Sequence, residues 1–417
     1  MDILEYIKKY YCRNVRIDKQ EHESLTHFFE VVLNQFSEKH QTIIDIIYIK
    51  STNVYPCKLT FSSSKKHYIV WDVLFWEEFE KYYQDMLLIE FNVEGQENVA
   101  INDIASIVNR VLSYKTEDYP FISFNLAVNS IINTLSDESK SIISNIIENE
   151  LNSGEYSIDI IVAKAYVFFH EKTHIEYRAR NNIYLNDLHE VFNYFKFLLL
   201  CRNDPEIFKH FDNTLHEMLT QYFALILKEI RIFEKNKNAQ RTPEVEELLC
   251  DFYAFKDIFI HFRHIFHSIK EEIILTSIFT SATYVTSFEL LLKYQTIQWT
   301  STLDYLNSLD GNYENVDKDK MTEYFKKINI EKDFAIMRNM VAIRLFFLFC
   351  KVNYRDINIT GYFVSHIQFN QIYNQITQTC SNLDLIGDLF LINKKIKDES
   401  KYDIYSLLSI KDKLLEF

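Results

Sequence analysis

Five glycines and four prolines in 417 residues constrain this chain more than any other feature. Tight hairpin turns use glycine wherever the backbone needs positive φ, so a fold built from many short strands has little material here. The glycines are Gly95, Gly154, Gly311, Gly361 and Gly387, all far apart. Loops that cradle phosphates need several glycines within a few residues, so P-loop and dinucleotide-binding folds are excluded. Hydrophobic residues make up 47% of the chain, enough to build a packed core.

Lys and Arg total 45 against 59 Asp and Glu, a net charge of −14. That balance argues against a nucleic-acid partner, which calls for a basic face. The six cysteines include no C-x-x-C pair and read as reduced, buried small hydrophobes. The N-terminus lacks a basic stretch followed by an apolar one, and the most apolar window, 334–352, contains Arg338, Arg344 and Lys351. A spanning helix needs ~20 nearly uncharged residues. The expectation is a cytoplasmic protein with no membrane partner.

Apolar spacing predicts amphipathic helices over 1–11, 21–37, 73–90, 99–113, 122–134 and 138–151. The stretch 42–72 differs. Runs at 42–50, 55–61 and 67–72 are β-branched or aromatic, and the last two flank a polar turn at 62–66. Helices are then predicted over 156–180, 186–201 and 205–233, with a polar loop at 234–241. Thr242-Pro243 is a helix start, with Pro at the first helical position, for a helix running towards Lys270. Residues 308–333 are polar and mark a boundary, with helical character resuming at 334. The fold class expected is a predominantly helical α+β protein, with a small β-hairpin or sheet near residues 42–72. Three regions follow: 1–155 with the hairpin, 156–305 with inserted helices over 186–233, and a helical 306–417.

Within the helix predicted over 156–180 the chain reads His170-Glu-Lys-Thr-His174. In an α-helix, positions i and i+4 lie ~40° apart around the axis and ~6 Å along it. Two imidazoles so placed can converge on one Zn²⁺ at ~2.0–2.1 Å, and Glu171 stands beside them as a general base. With 13 histidines in the chain, chance would produce this motif on the order of 0.03 times. His22, His189 and His216 are also each followed by Glu, but none has a histidine at i+4.

A two-histidine site needs a third protein ligand, and Glu246, Glu247 and Asp251 lie downstream, early in the Pro243 helix. HExxH followed by a helix carrying Glu-x-x-small-Asp-x-x-Ala resembles the gluzincin metallopeptidases. The layout is most similar to the Lit-type phage-exclusion peptidases: His67–Trp76, then Ala163–Glu171, then Glu246, Glu247, Asp251 and Ala254. The resemblance implies Zn²⁺ held by His170, His174 and Glu247, Glu171 as catalytic base, and Asp251 behind a ligating histidine. It further implies peptide-bond hydrolysis of a cytosolic protein substrate, in phage defence or toxin-like cleavage, under an activating trigger protein or peptide. Cys250 stands where that family has Ala.

Three departures from the family pattern stand out. Lys172 puts a charge inside HExxH, the stretch between His174 and the acidic helix is long, and no His-Pro segment follows. Glu246 and Asp251 therefore stay open as ligands, and the inserted helices as a lid over the cleft. Tyr253 is a candidate transition-state stabiliser. His261, His264 and His267 read as structural, since His261 falls ~21 Å along a straight helix from Glu247. Trp71 and Trp76 are expected to anchor the hairpin against the motif helix. An edge strand of that hairpin could take an extended substrate by main-chain pairing. The alternative function is a non-enzymatic helical interaction protein in which HExxH is incidental.

Overall fold

The computed structural model describes residues 3–10, 15–17, 43–51, 57–63, 66–90, 97–132, 155–200, 213–265, 271–309, 317–354, 366–399, 403 and 405–415. The helices expected over 21–37 and 138–151, and the chain at 205–212, lie outside them. The protein is a predominantly helical α+β fold.

Four strands form one mixed sheet: β1 (Val15–Ile17), β2 (Ile43–Ser51), β3 (Cys57–Ser63) and β4 (Lys66–Asp72). Their spatial order is β1-β2-β4-β3. β3 and β4 pair antiparallel as the expected hairpin, closing at Ser63↔Lys66. β4 also pairs parallel with β2, and β1 adds a short antiparallel edge. The parallel pairing and β1 were not expected, because a strand's partner is a tertiary choice that its own alternation does not encode.

Helix α2 (Val73–Glu90) starts directly from β4 without a glycine. Asp72, fully buried, takes the place of a flexible turn. Its Oδ1 accepts from Leu74 N at 3.2 Å and Ser51 N at 3.3 Å, and its Oδ2 accepts from the Ser51 hydroxyl. It therefore caps the helix and ties the ends of β2 and β4 together. Trp71 and Trp76 stack at 5.0 Å across this junction. Lys164 of the motif helix lies 5.9 Å over the Trp76 ring.

The remaining helices are α1 (Ile3–Tyr10), α3 (Glu97–Lys115), α4 (Pro120–Ile132), α5 (Glu155–Ala179), α6 (Asn181–Leu200), α7 (Asn213–Lys235), α8 (Pro243–Ile265), α9 (Glu271–Ser308), α10 (Lys318–Asn353), α11 (His366–Cys380), α12 (Leu383–Glu399) and α13 (Ser406–Leu415). α6 begins five residues earlier than expected. α10 starts at Lys318, inside the polar stretch 308–333, and carries that stretch unbroken into the apolar one.

α5 and α9 bury side chains around most of their circumference and sit in the middle of the molecule. On α5, Val162, Ala163, Ala165, Phe168 and Phe169 are fully buried. Each large side chain so placed contributes roughly 1.5–3 kcal/mol of burial. α5 packs against α8 and α9, while β3 touches it from the sheet side. α9 meets α2 through Phe75 and Phe288, whose rings are 5.2 Å apart, and meets α5 where the Ser281 hydroxyl donates to Asp159 O at 2.8 Å. By length and composition α9 could cross a membrane, but 67% of that window is buried inside the protein.

Candidate metal centre

His170 and His174 project from α5 on one face, and their Nε2 atoms lie 3.2 Å apart. Glu247 comes from the first turns of α8 and reaches both, with Oε2 3.4 Å from His170 Nε2 and Oε1 3.4 Å from His174 Nε2. Ligands at ~2.0–2.1 Å from a tetrahedral ion are about 3.3–3.4 Å from one another. The donor set therefore has the spacing that such an ion needs.

The far sides of the rings explain which atoms face inward. His174 Nδ1 donates to Glu246 Oε1 at 2.8 Å. His170 Nδ1 lies 2.9 Å from Asp251 Oδ1, at an oblique angle. An ionised carboxylate only accepts, so both Nδ1 atoms carry a proton, and each ring when neutral turns its Nε2 lone pair inward. Two imidazole lone pairs and a carboxylate meet there, an arrangement that calls for a cation or a proton. Burial opposes protonation of the two rings, but the bonded carboxylates outweigh it and raise both above the usual histidine range. Burial likewise pushes against ionised Glu247, and its two histidine partners win, holding it well below the ordinary carboxylate range.

Each supporting carboxylate has its own arginine. Asp251 is fully buried, and burial alone would raise it. Arg338 of α10 donates from Nε to Asp251 Oδ2 at 3.0 Å, and with His170 it leaves Asp251 below its normal range. Arg338 Nη1 also lies 3.4 Å from Glu247 Oε2. Tyr166, one turn before His170, donates its hydroxyl to Asp251 Oδ1 at 2.7 Å and accepts from Asn339 of α10 at 3.3 Å. On the other side, Arg241 donates from Nη1 to Glu246 Oε2 at 3.4 Å.

The donors open onto a cleft of about 470 Å³. Its walls are α5 (His170, Glu171, His174), α8 (Glu247, Asp251), α9 (Val285, Leu290, Lys293) and α10 (Phe334, Arg338). Glu171 lines it, and burial raises its carboxyl, moderated by the two imidazoles.

The structure brings His170, Glu171, His174, Glu247 and Asp251 together. It places Glu246 behind His174 and Asp251 behind His170, so neither competes with Glu247 for the inward position. Tyr253 is corrected: it does not line the cleft, and its hydroxyl donates to Glu190 Oε2 at 2.8 Å. The question of a lid, left open by the sequence, concerns an insertion whose residues 201–212 lie outside the described ones; no described residue of α6 or α7 lines the cleft. Lys172 turns away from the donors, buried against Asp257 at 3.0 Å and Glu176 at 3.2 Å. The charge inside the motif is thus neutralised on the opposite side of α5. His261 stacks on Phe169 at 5.4 Å, in keeping with a structural role. The His264 side chain and His267 lie outside the described residues.

Sequence reasoning missed Arg338 and Arg241. Arg338 sits in the most apolar window of the chain, and a charge there was a signal available in the sequence. Cys250, fully buried beneath the site, offers a sulfur within 4.8 Å of donor atoms of both histidines. Burial pushes its thiol well up, reinforced by Glu247 and Glu246, which disfavours the thiolate a metal would take.

Comparison with known proteins adds no relative: no family model, no curated protein and no solved structure matches this chain.

Proposed function

We propose that this protein is a zinc-dependent endopeptidase. The reading rests on one observation above the others: two imidazole lone pairs and the Glu247 carboxylate converge at 3.2–3.4 Å, with Glu171 beside them in an open cleft. His170, His174 and Glu247 would hold the ion. When bound, a zinc ion supplies Lewis acidity for the scissile carbonyl and brings the pKa of a water towards ~7.

The chain's own groups do the rest. Glu171 takes a proton from the attacking water and returns it to the leaving amine. A raised carboxyl pKa suits a group that must hold a proton between those two events. Asp251 and Glu246 keep the ring tautomers fixed with Nε2 inward. Among the described residues, these three donors turn inward, which would leave a position open for substrate, as in catalytic zinc sites. β3 is one of the two edge strands of the sheet and touches α5, which suits an extended peptide paired along that edge.

The test is zinc content per chain on wild type, His174→Ala, Glu247→Ala and Glu171→Gln. One zinc in wild type and Glu171→Gln, lost in the other two, is the expected pattern, with casein-type proteolysis in wild type alone. No zinc in reconstituted wild type would overturn the reading in favour of a helical interaction protein. Cys250 motivates a second reading, a closed structural site of four protein ligands, which Cys250→Ala separates from the first.

A further inference from the structure

No described residue of α6 or α7 lines the cleft, yet these helices reach its donors through one side chain. Arg241 stands in the loop between α7 and α8, with its side chain 15% exposed. Its Nη1 donates to Glu246 Oε2 at 3.4 Å. Its Nη2 donates to Asn181 Oδ1 at 2.8 Å and to the Tyr177 carbonyl. The guanidinium lies over the Tyr184 ring, 5.0 Å from its centroid. The Tyr184 hydroxyl donates to Glu229 Oε1, and the same oxygen accepts from Thr242 N at 3.0 Å. One planar cation therefore joins the end of α5, the start of α6 and the carboxylate behind His174, and the Tyr184–Glu229 bond extends the chain to α7. Several contacts in divergent directions need the rigid fork of arginine, which a lysine cannot reproduce.

Glu246 is the link to the donors. One of its oxygens holds His174 Nδ1 at 2.8 Å and the other meets Arg241. Without Arg241, nothing described here restrains that second oxygen, and Glu246 can rotate off His174.

We propose that Arg241 is a positioning residue through which the α6–α7 pair sets how firmly this site holds its metal. The proposal rests on the reading of His170, His174 and Glu247 as a metal site. It makes the inserted helices a control element acting from behind His174. A ligand or protein that shifts α6 against α5 would change metal affinity without entering the cleft.

The experiment uses the full chain and measures Zn²⁺ affinity by competition with a chromophoric chelator, the visible Co²⁺ ligand-field spectrum, and apo-protein melting. Arg241→Gln is expected to weaken Zn²⁺ about 10- to 100-fold and to alter the Co²⁺ bands. Arg241→Lys restores part of the affinity. Asn181→Ala, which touches neither a donor nor Glu246, shows a smaller loss in the same direction and covers the case in which Arg241→Gln folds poorly. The proposal is overturned if wild type binds one Zn²⁺ and both Arg241→Gln and Asn181→Ala match it in affinity and Co²⁺ spectrum. If wild type binds no Zn²⁺, the metal-site reading falls, and this proposal with it.

Discussion

Arg338 Nε lies 3.0 Å from Asp251 Oδ2, across 87 residues of chain, and with Arg338–Glu247 and Asn339–Tyr166 it joins α10 to the site. Asp251 is fully buried, so removing Arg338 leaves its Oδ2 without the cation that balances it and with only His170 and the Tyr166 hydroxyl on Oδ1. Arg338→Ala is expected to cost about 3–5 kcal/mol of stability. Urea unfolding measures it. A loss below about 1 kcal/mol would mean that the pair is solvated and not part of the framework.

Glu171 lines the cleft without reaching the ring of donors. Glu171→Gln should keep stoichiometric zinc while hydrolysis drops ~10²–10⁴-fold. Metal content and turnover are read on the same preparation. Zinc lost together with activity would reassign Glu171 to the ligand set.

Cys250→Ala separates an open site from a closed one. Zinc is expected to remain, at a stability cost on the order of 1 kcal/mol for the small void. Metal lost from this variant, with the fold intact by circular dichroism, would establish sulfur as a ligand.

Lys172 points away from the donors, and its partners Asp257 and Glu176 are 27% and 18% exposed. Because water still reaches both carboxylates, Lys172→Met should cost about 1–3 kcal/mol. Zinc content should stay at the wild-type value. A variant that folds but cannot hold zinc would show that the charge within the motif matters to the site after all.

Asp72 predicts a pH dependence remote from the cleft. Burial pushes its carboxyl up to about 7, against the hydrogen bonds from Ser51 and Leu74. Between the unfolded value of 3.8 and about 7, the folded protein binds a proton that the unfolded chain does not. Stability is therefore lost as pH rises through that window. Asp72→Asn lacks this term, so its stability relative to wild type should climb from pH 4.5 to pH 7.5. A difference that stays flat across the window would show that Asp72 is already ionised in the fold.

The features legible in the sequence share one physical basis: they are local. His170 and His174 fall on one face of α5 because of helical periodicity alone, and the start of α8 is written in Thr242-Pro243. The β3–β4 hairpin follows from two β-prone runs and a polar turn, and the scarcity of glycine and proline already demanded a mostly helical molecule. The same periodicity puts Lys172 ~200° around α5 from both histidines, but its partner Asp257 was fixed only by the packing of α8.

Tertiary structure decided everything that depends on which helices meet. Three acidic residues within six positions of α8 were equivalent candidates in one dimension. The packing of α8 on α5 turned Glu247 inward and left Glu246 and Asp251 to hold one histidine each. The same packing sent Tyr253 to Glu190 and out of the cleft. Arg241 and Arg338 reach the centre from a loop and from a helix far along the chain, and no local pattern marks a guanidinium for a distant carboxylate. Periodicity determines the face on which a side chain stands; its partner is determined by a neighbouring element whose position no short segment encodes.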